Sequence, residues 1–167
     1  MDIIKWINRI LSWEPNARIV LHGVSMGAAT VLMASGEDLP ENVKAVIADC
    51  GYTSEWDEFQ READTLHIPW FPVLNATSVL SKVRDGYDFK QASALAQVKK
   101  SRIPTLFIHG SSDELVPYSM LGELYAAAAC EKEELTVEGA GHALSSSVAP
   151  TLYWRTVEDF IAKYLDR

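Results

Sequence analysis

What most constrains this chain is a set of short apolar runs that do not alternate with polar residues. ARIVLHG (17–23), VKAVIADCG (43–51) and IPTLFIHG (103–110) are rich in β-branched residues and bounded by turn formers. A strand with one wet face alternates apolar and polar side chains, so continuous runs of this length predict strands covered on both faces. EELTVEGAG (133–141) reads as a fourth strand. Between and around these runs lie helical patterns at 2–13, 26–36, 118–130 and 150–165, with Asp2 as an N-cap and Pro150 at a helix start. Strand and helix alternate, which predicts a parallel sheet between helical layers.

The segment 52–87 departs from this rhythm. It mixes apolar and polar residues and contains no strand pattern, so it reads as a small helical cap inserted over the strand ends. With 167 residues the chain is expected to form one domain, 1–167, large enough to bury a core. Apolar residues make up 48% and charged residues 23%, as in ordinary globular proteins, and the net charge is −8. That charge argues against nucleic acid as a partner, since phosphate binding needs a basic face. It makes cationic or neutral substrates easier to admit than anionic ones. No apolar run is long enough to span a membrane, so no membrane partner is expected, and Met1-Asp2 does not open a signal peptide. The expected location is the cytoplasm. Two cysteines, Cys50 and Cys130, without metal-like spacing predict neither a disulfide framework nor a metal site.

Chemistry enters at Gly23-Val24-Ser25-Met26-Gly27, where a strand run ends and a helical pattern begins. A nucleophilic serine on such a sharp turn has its hydroxyl lifted clear of the sheet. Flanking side chains are expected to collide with backbone at both Gly23 and Gly27. The helix that follows aims its first N–H groups at the reaction centre, where they favour a developing oxyanion. A serine hydroxyl needs a base, and the base needs a carboxylate. HGSSDELVP puts Asp113 just after the third strand and EGAGHA puts His142 just after the fourth. All three residues therefore fall at the carboxyl ends of parallel strands. Taken singly, Asp113 also reads as a helix cap near Pro117 and His142 as a loop residue.

With these motifs the chain resembles the α/β-hydrolase family, and within it the bacterial serine hydrolases similar to serine aminopeptidases and prolyl oligopeptidase-type domains. IVLHGVSMGAATVLMASG, DCGYTS and IPTLFIHGSSDELVP carry the resemblance. It implies a three-layer α/β/α fold with a shortened, mostly parallel sheet of about four strands. It implies Ser25 as nucleophile, His142 as general base, Asp113 as the acid that orients it, and the Met26 N–H as an oxyanion donor. The implied activity is cleavage of a small-molecule ester, amide or short peptide through an acyl-enzyme, with no metal or organic cofactor. Acyl transfer to another acceptor would use the same residues. Tyr52, Trp56, Trp70 and Phe71 are candidates to line a substrate pocket, with packing as the alternative reading.

The resemblance covers only the later part of the family's domain. The loop that would give a second oxyanion N–H has no counterpart before Ser25, and the 17–23 strand would lie at the sheet edge. An open apolar edge predicts association, here a homodimer through 17–23. A catalytically silent or truncated hydrolase serving as a binding or oligomerising domain stays open at this point. Asp49, His22 and His109 read as structural, His67 as a cap residue, and Ser145-Ser146-Ser147 as a polar loop.

Overall fold

The structure, a computed structural model, describes residues 2–165. Helix α1 (Asp2–Trp13) leads into β1 (Ile19–Val24), α2 (Met26–Ser35) and β2 (Val43–Asp49). Helices α3 (Glu55–Thr65), α4 (Trp70–Asp85) and α5 (Ala94–Val98) intervene before β3 (Thr105–Gly110). Then come α6 (Ser119–Ala127), β4 (Lys132–Val137), the short α7 (Ser145–Val148) and the long α8 (Pro150–Leu165). The four strands pair in the order β1-β2-β3-β4, every pair parallel. This is the three-layer α/β/α architecture expected from the sequence. Among the described residues no helix is long and apolar enough to cross a membrane.

Strands added successively in one direction put crossovers of one hand on one face of the sheet. On that face α2, α5 and α6 pack Leu32, Val98 and Leu124 against Val46 and Phe107, joined by Ile7 of α1. The other face is covered by α8, whose Tyr153, Val157 and Phe160 lie on Ala45, Ile47, Leu106 and Ile108. Each fully buried side chain of this size contributes about 1.5–3 kcal/mol relative to exposure. The central strands are covered on both faces, β3 at every residue. In β1, by contrast, buried positions alternate with His22 and Val24, which are exposed. The physical reason is position: β1 is the edge strand, where α8 packs on Val20 and sets Tyr153 and Trp154 against His22.

Local chemistry sets the boundaries. Asp2 opens α1 as its first residue rather than its cap, and accepts from Lys5 Nζ at 3.0 Å. Helix α2 is made of small and apolar residues buried nearly all round, with Ala28, Ala29 and Leu32 fully enclosed. Ser54 and Ser93 cap α3 and α5, accepting from Asp57 N and Ala96 N at 3.1 Å each, and bridge one another at the base of the 52–87 insertion. Phe71, ahead of Pro72, leaves the helical region within α4, and Gly86 at φ 70° closes that helix. Strand β4 stops at Val137, short of the expected 141, because Gly139 turns with φ 73°. Helix α6 stops at Ala127, where Ala128 becomes extended.

Gly23 is needed for close approach: a Cβ there would meet the carbonyl of Gly27 in α2. The expectation for Gly27 is overturned. A Cβ at Gly27 meets nothing within 4 Å, because it points to open space rather than to backbone. Gly23→Ala should therefore cost about 1–3 kcal/mol of stability. Gly27→Ala, inside a helix, should gain about 0.5–1 kcal/mol. Urea unfolding of the two variants checks both signs.

Candidate active site

Ser25 sits between β1 and α2 with φ 55° and ψ −117°, a left-handed backbone that side chains rarely adopt. Its N–H donates to Asp49 O at 2.8 Å and its carbonyl accepts from Ala29 N at 3.0 Å. The turn is thus pinned to the end of β2 on one side and to the first turn of α2 on the other. Two further non-glycine residues with positive φ lie beside it, Cys50 (48°) after β2 and Ala143 (58°) after β4. The Cys50 thiol lies within hydrogen-bond reach of the backbone of both Ser25 and Ala143. Such residues cost about 1–3 kcal/mol each and persist where the surroundings over-determine them.

His142 bridges the strand ends. Its Nε2 lies 2.8 Å from Ser25 Oγ and its Nδ1 lies 2.8 Å from Asp113 Oδ2. A carboxylate only accepts, so Nδ1 carries the proton and bare Nε2 accepts the Ser25 hydroxyl. The Asp113 carboxylate is fully buried, while the imidazole keeps 21% of its surface exposed. Asp113 Oδ1 accepts from Leu115 N at 3.0 Å and Val116 N at 2.9 Å. Both readings of Asp113 therefore hold, one oxygen binding the turn and the other facing His142. His109, 1% exposed, gives its Nε2–H to Val116 O at 3.0 Å and approaches Asp113 Oδ2 at 3.3 Å. Both oxygens of this buried carboxylate therefore face donors.

The Met26 N–H belongs to the first turn of α2, where N–H groups have no intrahelical acceptor. The Met26 side chain, 68% exposed, opens a cavity of about 540 Å³ that runs along α2 past Met33 to Tyr52 and Tyr87. The carboxylates of Glu37 and Glu55 stand at its walls. Burial, with Glu55 and Glu58 nearby, pushes the Tyr52 phenol up to about 12, so it serves as a neutral hydrogen-bonding group. Tyr87 OH donates to Glu55 Oε2 at 2.7 Å. Trp56, Trp70 and Phe71 are not among the residues lining this cavity. Trp56 lies beneath Lys90 Nζ, and Trp70 packs edge-on to Phe71, itself 67% exposed. His67 sits at the end of α3 with φ 56°.

Two residues at the site carried no signal in the sequence. Ser145 is not in a polar loop: it opens α7, is fully buried, and donates to Asp49 Oδ1 at 3.0 Å. Cys50 places its sulfur near the Asp113 and His142 donor atoms, all within 4.8 Å of one another. That set is poorly suited to a cation. Burial pushes the Cys50 thiol up to about 12, so it keeps its proton, and Asp113 Oδ2 and His142 Nδ1 are spent on each other.

Comparison with known proteins agrees with this architecture. The model of the prolyl oligopeptidase family matches residues 2–167. The chain belongs to the prolyl oligopeptidase family. This family member is 32% identical over 165 residues to the uncharacterized protein YqkD of Bacillus subtilis, an alignment covering 96% of the chain and 53% of the relative. It is 31% identical over 157 residues to the alpha/beta hydrolase domain-containing protein WAV2 of Arabidopsis thaliana, covering 89% and 48%. The chain thus spans about half the length of the curated relatives it matches. Its fold resembles an esterase of Pyrococcus furiosus at a TM-score of 0.73 and 19% identity, over 98% of this chain and 61% of that one. It also resembles the Pyrococcus horikoshii acylaminoacyl peptidase at a TM-score of 0.72 and 18% identity, over 99% and 27%.

In this member of the prolyl oligopeptidase family the two thiols should differ sharply. Cys50 is enclosed and protonated, whereas Cys130 is partly exposed and only loosely bonded to Thr105 Oγ1 at 3.6 Å. A disulfide reagent at pH 8 should titrate Cys130 alone in the native protein and both thiols after unfolding. Fast reaction of both in the native state would contradict the burial of Cys50.

Proposed function

We propose that this chain is a serine hydrolase that cleaves a carboxylic ester, or a small amide or peptide, through an acyl-enzyme. The observation that carries this reading is the series of contacts from Ser25 Oγ through the two ring nitrogens of His142 to Asp113 Oδ2, each 2.8 Å long. As Ser25 Oγ attacks the carbonyl carbon, its proton passes to His142 Nε2. Asp113 holds the ring in the tautomer that can take it and stabilises the imidazolium that results. The Met26 N–H stands where the oxyanion develops, at the positive end of the α2 dipole. Collapse of the tetrahedral intermediate sends the proton from Nε2 to the departing oxygen or nitrogen, and water then repeats the sequence on the acyl-serine.

Membership of the prolyl oligopeptidase family, a peptidase family, supports the class of reaction. Tyr52 and the cavity beside Met26 are read as the place for the substrate's larger group. Helix α3 is read as part of a cap over the site. In support, Arg61 Nη2 donates to Leu115 O at 2.9 Å, which ties α3 to the Asp113 turn, and Glu58 interacts electrostatically with His142 and Asp113. We further propose that the outer edge of β1, which no strand covers among the described residues, pairs with a second copy, since an open six-residue strand is a template for another strand.

A fluorophosphonate probe should label the chain once, at Ser25, and Ser25→Ala should abolish the label. His142→Ala should slow ester turnover by about 10³-fold or more. A folded wild-type chain that takes no label would reject the hydrolase reading in favour of a silent domain. Light scattering at micromolar concentration should give the mass of a dimer, and a monomer would reject the edge pairing.

A further inference from the structure

We propose that Asp49 is a positioning residue for the Ser25–His142 pair, holding the serine through its backbone and the histidine loop through its side chain. This rests on the hydrolase reading of the site and extends it to a residue outside the three at its centre. Asp49 ends β2, the strand next to the elbow, opposite Val24 of β1 and Ile108 of β3. Its carbonyl accepts the Ser25 N–H at 2.8 Å, and the next residue, Cys50, donates to Ile108 O at 2.8 Å. Its carboxylate, 1% exposed, accepts from Ser145 Oγ at 3.0 Å. Ser145 follows His142 by three residues, and the turn between them contains the left-handed Ala143 and a Leu144 N–H to Gly141 O bond of 3.1 Å.

A second hydroxyl acts on the same carboxylate. The Tyr153 phenol of α8, 1% exposed, interacts with the Asp49 carboxyl and lowers its burial penalty, and His22 Nε2 lies 3.0 Å from the Tyr153 oxygen. When the tyrosine turns its proton to the carboxylate, which only accepts, His22 Nε2–H donates to the phenol oxygen. Hydroxyls from the histidine loop and from α8 therefore face Asp49, and His22 of β1 backs the second of them. Burial raises the Asp49 carboxyl, and the two hydroxyls offset part of that penalty. An apolar residue would fill this position at lower cost in charge burial. What it would lose is the hold on the strained turn that carries His142.

Kinetics with p-nitrophenyl acetate, together with the low-field proton resonance of His142 Nδ1–H, test the tether. Ser145→Ala and Asp49→Ala should each lower kcat per folded molecule by about tenfold or more, with KM changed less than about twofold. The double variant should be no slower than the slower single one, since both cut one link. Asp49→Asn keeps an acceptor oxygen and should recover most of the loss. Losses that add, or kcat per folded molecule equal to wild type, would overturn the proposal. If Asp49→Ala does not fold, Ser145→Ala alone decides by the same criteria. A wild-type chain with no ester turnover would reject the hydrolase reading, and the resonance then decides. Its loss to solvent exchange in Ser145→Ala sustains the tether, and an unchanged signal overturns it.

Discussion

The structure depends on one strained turn, the left-handed backbone of Ser25 between β1 and α2. The conformation is unfavourable by itself and must be imposed. Three features impose it. Gly23 lets β1 and α2 come so close that a single Cβ would strike the Gly27 carbonyl. The Asp49 carbonyl fixes the Ser25 N–H. Helix α2 is buried nearly all round, so it cannot swing to relieve the turn. The strain is thus offset by core packing on the far side of the same helix.

A parallel sheet converts this local arrangement into a meeting of distant residues. Ser25 and His142 are 117 positions apart in sequence, and Asp113 and His142 are 29 apart. Each follows a strand, and parallel strands deliver their carboxyl ends to one edge. The turns after β2 and β4 repeat the device at Cys50 and Ala143, with positive φ in both. Cys50 turns the chain directly after β2, whereas Ala143 turns it six residues past the end of β4, beside His142.

Much of this was legible in the sequence because it is local. Continuous apolar runs marked β2 and β3, and the glycine-flanked serine marked the turn. Asp113 and His142 were found by their place after strand runs. What was not legible depends on partners far away in sequence. Nothing around Ser145 signals burial, because its acceptor Asp49 lies 96 positions earlier. Gly27 looked like a steric necessity because it mirrors Gly23, yet only Gly23 faces backbone. The run at 17–23 resembles the central strands, but Val20 emerges half-buried and His22 and Val24 exposed, because among the described residues β1 is the edge of the sheet. The aromatic residues of the 52–87 insertion scattered because apolarity alone does not tell a pocket wall from helix packing.

In the proposed reaction Ser25 forms a covalent acyl intermediate with His142 as its base. Rapid mixing with p-nitrophenyl acetate, an acid stop and intact mass measurement test this most directly. The expected result is a transient chain carrying one acetyl group, mapped to Ser25 and absent when His142 is replaced by alanine. Release of nitrophenol with no acetylated chain at any time would contradict it, because water would then be attacking the ester without the serine.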